Sequence, residues 1–420
     1  MRVIADLQIH SRYSRACSQD LIPKNIGAWA DKKGINVVGT GDFTHPLWLA
    51  ELKLALAETK SGLYQLKDKS AKTYFLLSAE VSSIYKQGDK VRRVHNMILA
   101  PNFAAVDKII KGLEKAGCNL KSDGRPITGV KCADLVKIVL NADPRNVIIP
   151  AHAWTPHFGV FGSLSGFDSI EEAFGEQAKH IFAIETGLSS DPKMNWQISG
   201  LDKYTLVSNS DAHSLRKLGR EANVFEIDEN RLSYDEIIRI IKDKKRSEFL
   251  FTIEFFPEEG KYHLDGHADC KFSCLPEETA RYKGICPKCG KKLLVGVLNR
   301  VAHLSDRPFG FVPVNVIPYK SVIPLEEIIA ETYDSGIGKK VLQTYERMVL
   351  NHTEFEILLD LPKDEIAKIS DLNVAESVVR VREGRVHVEG GYDGLFGIIH
   401  IYSDEEKGKM SKKTAQANLF

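Results

Sequence analysis

Two kinds of metal-seeking residue are spaced along this chain in patterns that could do chemistry. The first is a series of imidazoles and carboxylates, each standing just beyond a short apolar run. Gln8 and His10 follow the first run (DLQIHSRYS), Asp42 and His45 the second (GTGDFTHP), and Glu80 the third (SAEVSS). His152 follows a later run (IIPAHAWTP), Glu185 the next (FAIETGLSSDP), and Asp211 with His213 the one after that (SNSDAHS). His95 fits less well, since it opens its run (VHNMILAP). Imidazoles mixed with carboxylates are what two or three divalent metals need as ligands and bridges. The second kind is a cysteine cluster: Cys270, Cys274, Cys286 and Cys289 crowd together, while Cys17, Cys118 and Cys132 are scattered.

Such residues work only if the elements carrying them converge. Strands are expected at Arg2–Leu7, Ile35–Thr40, Tyr74–Ala79, His95–Leu99, Val147–Pro150, Ile181–Ile184 and Tyr204–Val207, with an eighth at Asn223–Ile227. Helical apolar spacing separates them, at Asn25–Lys33, Leu47–Thr59, Val106–Lys115 and Val130–Asn141. Alternation of this kind predicts an α/β fold, a (β/α) barrel, whose strand ends meet at one mouth and bring distant residues into one pocket. A helix is expected at Ser233–Lys245 and an aromatic strand at Phe249–Phe256. Beyond Lys291 the texture is mixed α+β, with a helix at Leu325–Glu331 and strands at Thr353–Leu359 and Ser377–Val388. The domains read as a barrel over 1–230, a linker helix and zinc-binding module over 231–300, a mixed region over 301–404, and a polar, mobile tail over 405–420.

The 57 Lys and Arg nearly balance 56 Asp and Glu among 420 residues, so net charge argues neither for nor against a nucleic-acid partner. With 43% hydrophobic and 27% charged residues, disordered, collagenous and coiled-coil chains are excluded. No apolar run approaches the roughly 20 residues that span a bilayer, and Asp6 interrupts the first, so no membrane and a cytoplasmic location are expected. The seven cysteines fit a reducing compartment with a metal knuckle better than a disulfide framework. Cys286-Pro-Lys-Cys289-Gly forms half of a tetrahedral structural zinc site, and Cys270-x3-Cys274 would supply the other half, with His267 a credible substitute for either of that pair.

The motifs DLQIHSRYS, GTGDFTHP, SAEVS, VHNMILAP, PAHAWTP and SNSDAHSLRKLG resemble those of the polymerase-and-histidinol-phosphatase (PHP) phosphoesterases over roughly residues 1–225. The resemblance implies a distorted (β/α)7 barrel holding two or three Zn, Mn or Fe ions, and hydrolysis of phosphoesters. It also implies His10, Glu80, His95, His152, Asp211 and His213 as ligands, with Glu80 a bridge. The family usually opens with His-x-His where this chain has Gln8-x-His10, and a harder amide oxygen favours Mn or Mg. Asp and His are adjacent in the family's second motif but three apart here, so either Asp42 or His45 is the ligand. Divalent ions would neutralise a phosphodiester and acidify a water, and Glu185 or Asp191 would orient that water, unless Asp191 merely caps a helix before Pro192.

The barrel followed by DGHADCKFSC…GICPKCGKKLLVGVLNRVAHLSDRP resembles the endonuclease Q family over nearly the whole chain. That resemblance implies cleavage of DNA 5′ to uracil, hypoxanthine, xanthine or an abasic site, with the lesion nucleotide flipped out of the stack. Two other readings stand beside it: a phosphomonoesterase of the histidinol-phosphatase class, and a non-catalytic DNA-binding scaffold. Trp154, Phe158 and Phe161, interleaved with glycines after His152, read either as a lid that stacks on bases or as rim packing. Arg12, Arg15 and Arg216 read either as phosphate ligands or as surface ion pairs. Gln416 and Leu419 match the start of a sliding-clamp motif whose closing aromatic pair is incomplete, so the segment reads either as a motif cut short or as an ordinary frayed tail.

Overall fold

The computed structural model describes residues 1–403 and 405–407. Seven strands ring a barrel: β1 (Arg2–Asp6), β2 (Val37–Gly39), β3 (Tyr74–Gln87), β4 (Lys90–Ala100), β5 (Val147–Pro150), β6 (Ala183–Glu185) and β7 (Thr205–Val207). β1, β2 and β3 run parallel, and β6 is parallel to β7. β4 is antiparallel to both neighbours, β3 and β5. The Ala153 N–H donates to Glu185 O at 3.0 Å, joining the β5 and β6 ends. The ring closes beyond β7 and β1, where Asp211 N–H donates to Gln8 O and His10 N–H to Ala212 O, both at 3.0 Å. This is a distorted (β/α)7 barrel.

β4 is the distortion. The sequence shows two short strands at Tyr74–Ala79 and His95–Leu99, but the alternation continues through both into one long hairpin that turns at Gly88, φ 60°. Glu80 faces Met97 and Ser82 faces His95 across it, so Glu80 and His95 are diagonal neighbours on one face. That explains why His95 opens its run yet reaches the same mouth. On the other side of β1, β8 (Ala222–Glu226) and β9 (Phe249–Glu254) add antiparallel strands, and Tyr319–Ser321 lies parallel to β9. The expected helix over Leu47–Thr59 stops at Ala55, and Leu56–Lys60 turns into a strand paired with Leu63–Leu66.

The C-terminal region departs furthest from expectation. Thr353–Leu359 and most of Ser377–Val388 are not strands: helices occupy Glu354–Leu359 and Leu372–Arg382, and only His387–Glu389 is extended, paired with Ile398–His400. A reciprocal capping box explains the first, with Thr353 N–H donating to Glu356 Oε2 and Glu356 N–H to Thr353 Oγ1. Asp371 caps the second, and Val374, Val378 and Val381 recur on its buried face at helical spacing, which overrides the β preference of valine. Glu406 and Lys407, expected from the sequence to lie in the tail, pair with Arg380 and Glu331. Gln416 and Leu419 lie outside the described residues. No helix among the described residues is long and apolar enough to cross a membrane.

Candidate metal centre

The mouth gathers six of the sequence's candidates into two adjoining groups. His10, Asp211 and His213 form one, and Glu80, His95 and His152 the other, each with its ligand atoms within 4.8 Å of one another. Glu80 lies between them: Oε2 is 3.2 Å from His10 Nε2, while Oε1 is 2.5 Å from His95 Nδ1 and 3.4 Å from His152 Nε2.

Neighbours orient the rings. His10 Nδ1 faces Asp42 Oδ1 at 3.0 Å, His152 Nδ1 faces Thr155 Oγ1 at 3.0 Å, and His213 Nδ1 faces Asp211 O at 2.8 Å. Each leaves Nε2 for a cation, the arrangement by which a histidine ligand's orientation is fixed. Asp42 Oδ2 also accepts the Ser11 N–H and hydroxyl, both at 2.7 Å, so Asp42 acts as a brace behind His10. His45 instead stacks on Tyr13 with ring centroids 4.5 Å apart. Of the two alternatives in that motif, only Asp42 touches the cluster's histidines.

Charge in the mouth favours a cation. Burial opposes an imidazolium at His10, yet Asp42, Asp211 and Glu80 outweigh it and hold the ring well above its ordinary pKa. Burial likewise opposes a carboxylate at Glu80, but Arg125, His95 and His10 keep it well below the usual range. His95 itself is driven down to about 4 by burial. Gln8 Oε1 is a buried acceptor without a hydrogen bond among the described residues, although Gln8 Nε2 donates to Glu80 Oε2 at 3.0 Å. An acceptor so placed, with aligned Nε2 atoms, fits divalent ions.

Glu185 lies at the edge of this cluster as a positioning group. Its Oε2 accepts the His152 N–H at 2.7 Å and its Oε1 accepts Asn209 Nδ2 at 2.8 Å, while burial raises its pKa to about 8. Asp191 must be corrected: it caps the short helix Pro192–Asn195 through Met194 N–H, and its other oxygen faces the Tyr319 hydroxyl. Its carboxylate is used by the fold and touches none of the six gathered residues.

The lid reading of the loop after His152 is also overturned. Trp154 and Phe161 are each 1% exposed and pack on one another, and Trp154 Nε1 donates to Asn195 Oδ1. A Cβ at Gly162 would meet Thr155 O at 2.4 Å, so the glycines serve close packing rather than motion. Phe158 alone approaches the centre, with its ring 4.5 Å from that of His95. Arg12 pairs with Glu51 and Arg216 with Glu326, while Arg15 is 84% exposed beside Asp123. Sequence reasoning missed Arg125, whose guanidinium lies 3.6 Å from Glu80 Oε1; it follows no strand, so strand-end spacing carried no signal for it.

A second cluster lies in the module after β9. His267, Cys270, Cys286 and Cys289 converge, and Cys274 does not join them. Cys274 is buried in the strand paired with Asp265–His267, with its sulfur 3.2 Å from Thr279 Oγ1, so the period-two alternation of that strand turns it away. A closed Cys3His set is a structural zinc type.

Residues 324–385 match the family model described as the MJ0043 C-terminal domain. The MJ0043 protein of Methanocaldococcus jannaschii is 34% identical over 252 residues, 59% of this chain, and the chain spans 31% of that relative's length. Two solved structures superpose on 97% of the chain with a TM-score of 0.84. One is the lesion-specific endonuclease PfuEndoQ from Pyrococcus furiosus, 30% identical and covered over 99% of its length. The other is endonuclease Q in complex with a 27-mer duplex substrate carrying an abasic lesion at the active site, 31% identical and covered over 98%.

Proposed function

The chain belongs to the endonuclease Q family, and we propose that it cuts DNA on the 5′ side of a deaminated base or abasic site with the lesion nucleotide extruded. It is a metal-dependent DNA repair endonuclease. The observation that carries the finer reading is the pair of adjoining three-ligand groups at the barrel mouth, with Glu80 of one reaching His10 of the other. In this reading His10, Asp211 and His213 hold one divalent ion and Glu80, His95 and His152 another, with Zn, Mn, Mg and Fe the candidate metals. When bound, these ions supply neutralisation of the phosphate and a more acidic water. The chain's own residues do the rest. Asp42 and Ser11 fix His10, Glu185 fixes the His152 backbone, and the enclosing strands exclude bulk water. The Cys3His group holds a structural zinc in the module between the barrel and the C-terminal helices. The division into barrel, zinc module and C-terminal region is kept as part of the proposal, supported by the family model that begins at residue 324.

Extrusion is part of the proposal on general grounds: a base inside a duplex cannot enter a pocket without leaving its stack, at a cost of about a few kcal/mol that is least at mispairs. The test uses duplexes differing by one base (uracil, hypoxanthine, xanthine or an abasic site), with Mn or Mg and a single-nucleotide gel. A cut 5′ to the lesion leaving 3′-hydroxyl and 5′-phosphate ends is expected. Asp211→Ala should abolish nicking and leave duplex binding nearly intact. Turnover of a small phosphate ester, with every duplex left whole, would overturn the reading.

A further inference from the structure

Arg125 enters the metal centre from a segment that contributes no ligand. It lies between the helices Phe103–Lys115 and Cys132–Ala142, and the backbone on both sides is pinned to the barrel. Gly124 N–H donates to Tyr13 O at 3.0 Å, and Ser82 N–H donates to Pro126 O at 3.0 Å. Ile127 and Thr128 pair with Ser82 and Ser83 on β3. A Cβ at position 124 would meet Asp42 Oδ2 at 2.4 Å and Ser14 Oγ at 2.5 Å, so only glycine lets the chain pass this close to the brace behind His10. The segment is built to deliver one guanidinium to one place.

That guanidinium lies 3.6 Å from Glu80 Oε1 and 3.5 Å from His10 Nε2, with its side chain 23% exposed. A guanidinium has only donors, so it cannot ligate a metal. A cation held by Glu80 competes with Arg125 for the same carboxylate. The guanidinium then keeps its place while its N–H groups need another acceptor, and its planar fork matches phosphate oxygens.

We propose that Arg125 binds a non-bridging oxygen of the scissile phosphodiester and stabilises the charge gathering there as the bond breaks. The inference rests on the endonuclease reading above. The step is hydrolysis. A water oxygen bonds to phosphorus and releases a proton to solvent. The P–O3′ bond breaks with its electron pair on O3′, which takes up a proton. The phosphate stays on the 5′ end, and Arg125 keeps its own protons throughout.

The test compares wild type, Arg125→Gln, Arg125→Lys and Arg125→Ala on an abasic duplex with Mn, alongside Mn titration of the metal-free proteins. Loss of one donor aimed at developing charge predicts a fall in kcat of about 100-fold or more for Arg125→Gln. KM for the duplex should change far less, and Mn affinity should be equal or tighter because Glu80 loses a competitor. Arg125→Lys should recover part of the rate, and added guanidinium should partly rescue Arg125→Ala. Nicking by Arg125→Gln within twofold of wild type would overturn the proposal, as would loss of Mn binding in parallel with rate in both Arg125→Gln and Arg125→Lys. Failure of wild type itself to nick would instead defeat the functional reading.

Discussion

Glu254, at the end of β9, forms no ion pair among the described residues. Burial raises its pKa to about 8 against the pull of Thr252, Thr186 and Ser208, and Asp191 adds to the rise. Thr186 Oγ1 donates to its Oε2 at 2.9 Å, and its Oε1 has no hydrogen-bond partner. Glu221 is shifted the same way, by burial first and then by Glu254 and Glu185. The sign follows from proton counting. Between the ordinary value of 4.5 and about 8 the folded chain keeps the Glu254 proton while the unfolded chain sheds it, so stability falls as pH rises. The slope is at most about 1.4 kcal/mol per pH unit, and it flattens above the folded pKa. Glu254→Gln should therefore gain on wild type in urea unfolding as pH goes from 5.5 to 8. A difference that stays constant with pH would show that the carboxyl is ionised in the folded chain. At this scale the sequence was a good guide where chemistry sits just beyond strand ends, as with His10, His152 and Asp211, whereas Glu80 lies within the long hairpin strand. The sequence was silent on Arg125, which a loop delivers, and on Glu221 and Glu254, which no spacing rule distinguishes from surface acids.

Elements decide which of several plausible side chains meets the others. The knuckle Cys286–Cys289 was legible because two thiolates at that spacing bend a turn around one point. The other half was not, since Cys270, Cys274 and His267 all lie within eight residues, and only the antiparallel pairing of Asp265–His267 with Phe272–Cys274 selects among them. If the proposed zinc occupies this group, His267→Ala should lower the zinc content per chain, with a matching drop in melting temperature. Cys274→Ser, whose hydroxyl keeps a contact with Thr279, should retain the zinc content of wild type by elemental analysis. The reverse pattern would return Cys274 to the ligand set. The same lesson applies to the loop after His152. Aromatics among glycines look mobile in sequence, but backbone approaches of 2.3 to 2.7 Å to a Cβ built at Gly166 show tight packing. In the C-terminal region, Thr353 and Asp371 cap helices over segments whose apolar texture resembles that of strands.

At the scale of the whole molecule, the barrel and the C-terminal helices are joined by charges far apart in sequence, which no local pattern could reveal. Lys33, at the end of the first barrel helix, reaches Glu354 Nζ to Oε2 at 2.8 Å with both side chains 5% exposed. Glu354 also accepts the Leu325 N–H at 3.0 Å and the Tyr345 hydroxyl at 2.8 Å, so one carboxylate ties three helices of the C-terminal region to the barrel. Lys32 and Glu346 form a neighbouring pair on the rim, where Glu346 is 59% exposed. Coulomb attraction alone would rank the two pairs alike, but solvent separates them. Removing one partner of a buried pair strands the other charge and costs about 3–5 kcal/mol. Removing an exposed partner costs about 1 kcal/mol or less. Glu354→Ala should therefore loosen the C-terminal region, giving an earlier urea transition and protease cleavage near residue 324, and should do so at high salt as at low. Glu346→Ala should leave both measurements close to wild type. Equal behaviour of the two variants would mean that apolar contacts, and not this carboxylate, dock the helices.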